Sequence, residues 1–230
     1  EVPVYNTIAE VRGVLLPDEY VVLSSHLDSW DGGSGATDTG AGTIAILEAM
    51  RILKEVYPEP KRTILVGHWG GEEQGLNGSR AFAEDNPSVV QGLHVLLNFD
   101  IGTGVVNDIS MQGMMGAGEH FARWFAQMPS ELSGPLKLTL PGTPHSGGTD
   151  HASFLCYGVP AFRFGGREWD YFTYTWHTNR DTFDKLVFEE VRHNATLIAA
   201  MTYLAAEDPE RVSRDRRDTF PTDVSTGDVM

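Results

Sequence analysis

The chain has 230 residues, 41% of them hydrophobic, and carries 17 basic against 32 acidic residues for a net charge of −15. That length and apolar content allow one large core in a single domain, and the negative field sets aside nucleic acid and anionic lipid as partners while attracting cations. The one cysteine, Cys156, excludes an internal disulfide and any multi-cysteine zinc site, so a bound metal would take His, Asp and Glu ligands.

Apolar runs alternate with helical patterns along the chain. Thr7 to Leu15 and Tyr20 to Ser25 (YVVLSS) read as strands joined by a Pro17-Asp18 turn, and Ala41 to Val56 has apolar positions at helical spacing, closed by Pro58 and Pro60. Arg62 to Trp69 is a predicted strand, Ser79 to Glu84 a short helix and Leu93 to Asp100 a buried strand. Asp108 to Gln112 reads as a short strand, Glu119 to Gln127 as a helix, Asp150 to Cys156 as a short helix with a buried, inert thiol, and Pro160 to Phe164 as a strand. The Pro-, Gly- and Ser-rich stretch Met128 to His145 reads as a loop near the site, and Phe188 to Ala205 as the last long helix. Continuous apolar strands separated by helices imply a mostly parallel sheet covered on both faces, a three-layer α/β/α domain over residues 1–207. Asp208 to Met230 is charged and poor in large apolar residues, and reads as a loosely attached tail. No apolar run approaches the roughly 20 residues of a membrane span. The start, EVPVYNTIAEV, lacks the regions of a signal peptide, as a processed N-terminus also would.

Acids and histidines recur just past the strand ends. His26-Leu27-Asp28 follows YVVLSS, Glu72-Glu73 follows TILVGHW, and Asp100 ends HVLLNF. In an open α/β sheet the ligand crevice lies outside the carboxyl ends of the strands, so residues distant in sequence converge there. Asp38, in the glycine-rich loop GGSGATDTGAG, and His177, in TYTWHTNRDT, belong beside them. The glycine-rich loop lacks the lysine of a phosphate cradle, which argues against a nucleotide. Each residue alone has a structural reading, as a hydrogen-bonded His or a surface acid; the joint placement at strand ends is what points to chemistry. Imidazoles and carboxylates without thiolates suit zinc, cobalt or manganese. Two such ions sharing one carboxylate activate a water, and a further carboxylate serves as general base and then general acid. His68, His94, His120 and His193 read as structural, whereas His145 and His151 flank the loop HSGGTDH and are harder to dismiss.

HLDSWD (26–31), the Asp38 loop, GGEEQGLNGS (70–79), NFD (98–100), GGTDHASF (147–154) with GVPAF (158–162), and WHTNRDTFDKL (176–186) resemble the zinc exopeptidases that include plasma glutamate carboxypeptidase (carboxypeptidase Q), glutamate carboxypeptidase and bacterial leucyl aminopeptidases. The HLDSW form points to the carboxypeptidase Q side. The resemblance runs from about Tyr20 to Ala205 and implies two zinc ions. His26, Asp38, Glu73, Asp100 and His177 would be the ligands, with Asp38 bridging; Glu72 would be the general acid/base, and Asp28 would hold the His26 ring through its second nitrogen. It also implies a cis peptide after Asp38, although Thr39 stands where many relatives have Asp or Asn. The implied reaction is hydrolysis of a terminal bond of short peptides or dipeptides, in a secreted or periplasmic protein, with a homodimer left open. Relatives near carboxypeptidase Q often carry an N-terminal segment and a protease-associated domain before the strand matching YVVLSS, so the resemblance implies that this chain is the catalytic core of something longer. The acidic balance favours a free ammonium on the substrate, with Asp150 and His151 as candidate contacts for a substrate terminus. Arg163 and Arg167 are candidates to grip a carboxylate bidentately, as a strict carboxypeptidase would need. Glutaminyl cyclisation and a non-catalytic, transferrin-receptor-like interaction domain are the alternatives; the full ligand set argues against both.

Overall fold

The structure is a computed structural model that describes residues 2–145 and 147–216. In chain order its elements are β1 (Thr7–Val11), β2 (Leu16–His26), α1 (Ala41–Val56), β3 (Arg62–Trp69), α2 (Asn77–Asp85), α3 (Pro87–Gly92), β4 (Leu93–Asn98), β5 (Val106–Ser110), α4 (Ala117–Gln127), α5 (Ser130–Ser133), β6 (Lys137–Thr139), α6 (His151–Leu155), β7 (Ala161–Gly166) and α7 (Phe188–Glu207). The sheet order is β1-β3-β2-β4-β7-β5-β6. The central β3, β2, β4 and β7 run parallel, while β1 and β5 are antiparallel to their neighbours β3 and β7.

Every residue of β3 and β4 is buried, as strands covered on both faces require. The two faces separate at Ser24 and Ser25, because successive strand side chains point to opposite sides. Ser24 accepts the Trp69 indole N–H at 2.6 Å, and the Trp69 ring packs on Phe82 of α2 and Phe154 of α6. Ser25 lies on the other face, 3.3 Å from Thr43 of α1, and α1 packs along α7. The result is the expected three-layer α/β/α fold. Gly42 lets α1 approach the strand ends: a Cβ there would sit 2.7 Å from the Phe99 carbonyl oxygen.

Register sets the functional edge. Ser24 pairs with Asn98, Asn98 with Arg163 and His26 with Trp69. The C-terminal ends of four strands are therefore level, and the loops that follow them share one rim.

Several expectations are corrected. Pro17 and Asp18 do not form a turn; β2 already begins at Leu16, with a register break between Leu16 and Tyr20. The 128–145 stretch is a loop only in part: α5 and the edge strand β6 occupy its middle, while its last residues run irregularly to His145, which packs against His151 just before the cleft glycines Gly147 and Gly148. Residues 208–216 are not a loose tail. Asp208 and Val212 are buried, Arg211 and Arg214 donate to the Leu93 carbonyl at 3.2 and 3.3 Å, and Arg216 bridges to Met114. The rest of the expected tail, 217–230, lies outside the described residues. Cys156 is exposed rather than buried, with its thiol donating to the Ser153 carbonyl at 3.0 Å.

Candidate metal centre

His26 ends β2, Glu72 and Glu73 lie in the turn after β3, Asp100 is two residues beyond β4, and Asp38 lies in the irregular turn Ala36–Gly40 before α1. His177 comes from the loop before α7 and has φ +58°. The fold brings these side chains together in two groups that share one residue. His26 Nε2 is 3.3 Å from Asp38 Oδ1 and 3.5 Å from Asp100 Oδ1. His177 Nε2 is 3.5 Å from Asp38 Oδ2 and 3.0 Å from Glu73 Oε2. Within each group one donor atom per residue lies within 4.8 Å of the others.

The residues fit divalent cations on two counts. The donors are imidazole nitrogens and carboxylate oxygens, which suit zinc. Buried His26 Nε2, Asp38 Oδ2, Glu73 Oε1 and Asp100 Oδ1 also have no hydrogen-bond partner among the described residues. Such orphaned buried polar atoms are costly and call for an explanation.

Surrounding contacts hold the donors in place. Asp28 does not grip His26 through its carboxylate as expected. The His26 Nδ1 partner at 3.0 Å is the Asp28 backbone carbonyl, with the nearest Asp28 carboxylate oxygen at 3.8 Å. The Asp28 carboxylate instead accepts the backbone N–H groups of Glu72 at 3.0 Å and Glu73 at 3.1 Å, which sets the acidic turn against β2. That turn needs Gly71, whose φ is +66°. Two residues without a role in the sequence reading emerge here. Asp181 accepts from the backbone N–H of Thr37 (2.7 Å) and of Asp38 (2.9 Å), fixing the shared ligand, next to an Asp38–Thr39 peptide that is cis. Trp30 donates its indole N–H to Glu73 Oε2 at 2.7 Å, and its ring lies 5.4 Å from that of His177, which stacks on Trp176 at 3.9 Å. Both lay inside quoted motifs, HLDSWD and WHTNRDT. Their spacing from His26 and His177 was the available signal, but a hydrogen bond between two distant loops is not encoded in spacing.

The electrostatics follow from crowding acids in a buried cleft. Burial pushes the Glu72 carboxyl up to about 9, with Asp100, Asp150 and Glu73 adding to it, and pushes Glu73 up to about 7 with help from Asp38. Burial also raises Asp38. Burial alone would lower His26, but the Asp100 and Asp38 carboxylates outweigh it and hold the imidazole well above its ordinary value. Asp100 is buried too, yet the facing His26 draws it below the ordinary carboxylate range.

The substrate candidates fare differently. The cleft, about 320 Å³, is lined by Asp38, Glu72, Glu73, Asp100 and His177 together with Leu76, Arg80, Gly147, Gly148 and Trp176. Asp150 and His151 are 0% exposed and are not among the residues that line the cleft. The buried chain Trp69–Ser24–Asn98–Thr149 ties their loop to the sheet. Asp150 makes no side-chain cap to α6, and burial pushes its carboxyl up to about 7. His151, packed against His145, is lowered by burial to about 3. Arg163 lines a smaller cavity of about 150 Å³ beside Asp100. Arg167 is turned away, paired with Glu190 at 2.8 Å. His68, His94, His120 and His193 join neither donor group.

A three-layer α/β/α sheet whose strand ends carry a shared-carboxylate, imidazole-lined cleft defines a candidate metallohydrolase domain. Residues 6–202 match peptidase family M28, and the chain belongs to that family. It is 30% identical over 210 residues to carboxypeptidase Q of Homo sapiens, covering 91% of this chain and 43% of that protein. The crystal structure of a peptidase M28 precursor from Shewanella amazonensis superposes with a TM-score of 0.78 at 31% identity, over 91% of this chain and 46% of that one. The zinc aminopeptidase BSAP from Bacillus subtilis shares the fold, with a TM-score of 0.71 at 22% identity, over 92% of this chain and 52% of that one. The chain thus spans less than half the length of the human relative. No described helix is long and apolar enough to cross a membrane.

Proposed function

We propose that this chain is the catalytic core of a two-zinc exopeptidase that removes a terminal residue from short peptides, acting outside the cytoplasm. The observation that carries this reading is the division of Asp38: one oxygen faces His26 and Asp100, the other faces His177. A carboxylate whose two oxygens serve two donor groups is what a bridged pair of ions needs. Zinc ions held by His26, Asp38, Asp100, Glu73 and His177 would act as Lewis acids toward the scissile carbonyl and lower the pKa of water.

The protein's own residues supply the rest. Glu72 lines the cleft beside the ligands but belongs to neither donor group, which leaves its carboxylate free to handle a proton. One of its carboxylate oxygens takes the proton of the attacking water and returns it to the leaving amine nitrogen. Asp28 keeps Glu72 and Glu73 in register, so that one faces the reacting bond while its neighbour stays on the ligand side. Trp30 orients Glu73, and Asp181 orients Asp38. Gly147 and Gly148 let a peptide backbone approach the rim. Arg163, beside Asp100, is available to a substrate carboxylate. The complete donor set supports an enzyme over a non-catalytic interaction domain.

The test is hydrolysis of a panel of dipeptides and aminoacyl p-nitroanilides before chelation, after chelation and after zinc is restored. Activity is expected to vanish with chelator and return with metal. Turnover that survives complete removal of metal overturns the reading.

A further inference from the structure

Beside the metal cleft lies a second groove of about 390 Å³, lined by Leu76, Arg80, Glu84, Ser153 and Tyr157 among others. The two spaces adjoin, with Leu76 and Arg80 lining both. Arg80 reaches this junction from α2, which begins directly after the acidic turn. Leu76 N–H bonds to the Glu72 carbonyl and Arg80 N–H to the Leu76 carbonyl, so Arg80 stands two short turns beyond Glu72.

The charge of Arg80 is unmatched. Its exposed guanidinium has no ion pair or hydrogen bond among the described residues, and Glu84 one turn further along does not pair with it. Arg62 is committed to Glu19, Arg123 to Asp208 and Arg167 to Glu190, while Arg163, the other arginine near the metal cleft without an ion pair, opens into the separate small cavity beside Asp100. A cation left free where a cleft full of carboxylates opens into a groove is the group that lets an anionic substrate end approach. Without it, the net charge of −15 around the site would disfavour the approach of a peptide carboxylate. An arginine fork also matches a carboxylate in geometry, since two N–H donors meet two oxygens.

We propose that the groove beyond Arg80 receives the C-terminal end of the substrate, with the Arg80 guanidinium binding its free α-carboxylate while Leu76 and Tyr157 line the space for the residue that leaves. The assignment rests on the exopeptidase reading and narrows it: the preferred substrates are peptides short enough for their free carboxylate to reach the edge of the metal cleft. Glu84, farther along the groove, keeps the carboxylate at the Arg80 end and leaves a place for a basic side chain.

The experiment compares leucyl-alanine with leucyl-alaninamide on the parent, Arg80→Ala, Arg80→Lys and Arg163→Ala proteins. Turnover is measured on each, and binding of the same two ligands is measured by calorimetry in a Glu72→Gln background. The parent is expected to favour the acid over the amide by about 10–100-fold, the range for a charge-assisted hydrogen-bonded pair. Arg80→Ala removes that preference by weakening the acid and leaving the amide unchanged, and Arg80→Lys restores part of it. A parent with no preference, a preference that survives Arg80→Ala, or one that disappears in Arg163→Ala instead overturns the assignment. A binding preference that depends on Arg80 without turnover of either ligand leaves the groove assigned and overturns the exopeptidase reading alone.

Discussion

The two edges of the central sheet bury charge in opposite ways. At the edge where the parallel strands begin, Asp208 accepts from Trp124 (2.8 Å), Arg123 (3.0 Å), His120 (3.1 Å) and the Glu210 backbone (3.0 Å). Arg62 there bonds Glu19 at 2.7 Å and the carbonyls of Ala206 and Asp208. At the edge where the strands end, His26 and Asp38 are as deeply buried, Glu73 and Asp100 are partly so, and all four carry buried atoms with no partner. Hydrogen bonds satisfy the first set and draw Asp208 down to about 2, despite burial that would raise it. The second set holds Glu72 up near 9. The paired network around Asp208 fastens the structure, whereas unpartnered donors and acceptors that converge on one cleft are arranged for something that comes from outside.

The contrast is sharpest in the acidic turn. Glu72→Gln is expected to keep the metal content of the parent yet lose about 10²–10⁴-fold in kcat, as removal of a general acid/base does, whereas Glu73→Gln loses metal first. Elemental analysis and turnover at saturating zinc read both, and metal loss confined to Glu72→Gln would mean that the roles are exchanged. At the opposite edge the damage falls on stability. Asp208→Ala leaves the buried Trp124 N–H and His120 without their acceptor and Arg123 with Glu210 alone, and is expected to cost about 1–3 kcal/mol in chemical denaturation, with metal content unchanged; loss of metal in that variant would break the division between the two edges.

Smaller effects test how far each edge depends on its supporting contacts. Trp30→Phe keeps a ring beside His177 but deletes the N–H to Glu73, and is expected to weaken metal affinity about 10–100-fold, as loss of an outer hydrogen bond to a ligand does. Titration with a metallochromic indicator measures it, and unchanged affinity would remove Trp30 from the site. The mildest effect concerns acid. His94 faces Arg62, Asp208 and His120, and burial lowers it from 6.5 to about 3, so it is neutral in the fold while the unfolded chain protonates near 6.5. Its contribution to stability is therefore complete above about 6.5 and is lost as pH falls toward 3. Denaturation midpoints across that window should fall less steeply in His94→Gln than in the parent; equal slopes would show that other groups carry the acid response.

Much of this was legible before any coordinates. α1 and β3 have the bounds that their apolar patterns predict, because a long amphipathic run and a short buried one each leave an unambiguous period. The helices α3 and α5 and the strand β6, at six, four and three residues, are too short for periodicity to register. The turn read at Pro17-Asp18 is instead the irregular start of β2, where a register break accommodates the proline. The 208–216 segment looked like a tail because it holds few large apolar residues. It is held instead by arginine–carbonyl bonds and by the buried Asp208 network, which composition does not reveal.

The sequence by itself determined the layered α/β/α class and the set of imidazoles and carboxylates at the strand ends, since parallel strands must carry their following loops to one edge. Tertiary structure decided how those groups are shared and supported. It divided the Asp38 oxygens between two partners, gave the Asp28 carboxylate to the backbone of the Glu pair, recruited Trp30 and Asp181, buried Asp150 and His151 away from the cleft lining and left Arg80 open at its side. The physical reason is range. Periodicity and chain direction act over a few residues and fix which edge a side chain reaches. A hydrogen bond between Trp30 and Glu73, 43 residues apart, exists only after the sheet has set the angle and depth of both loops.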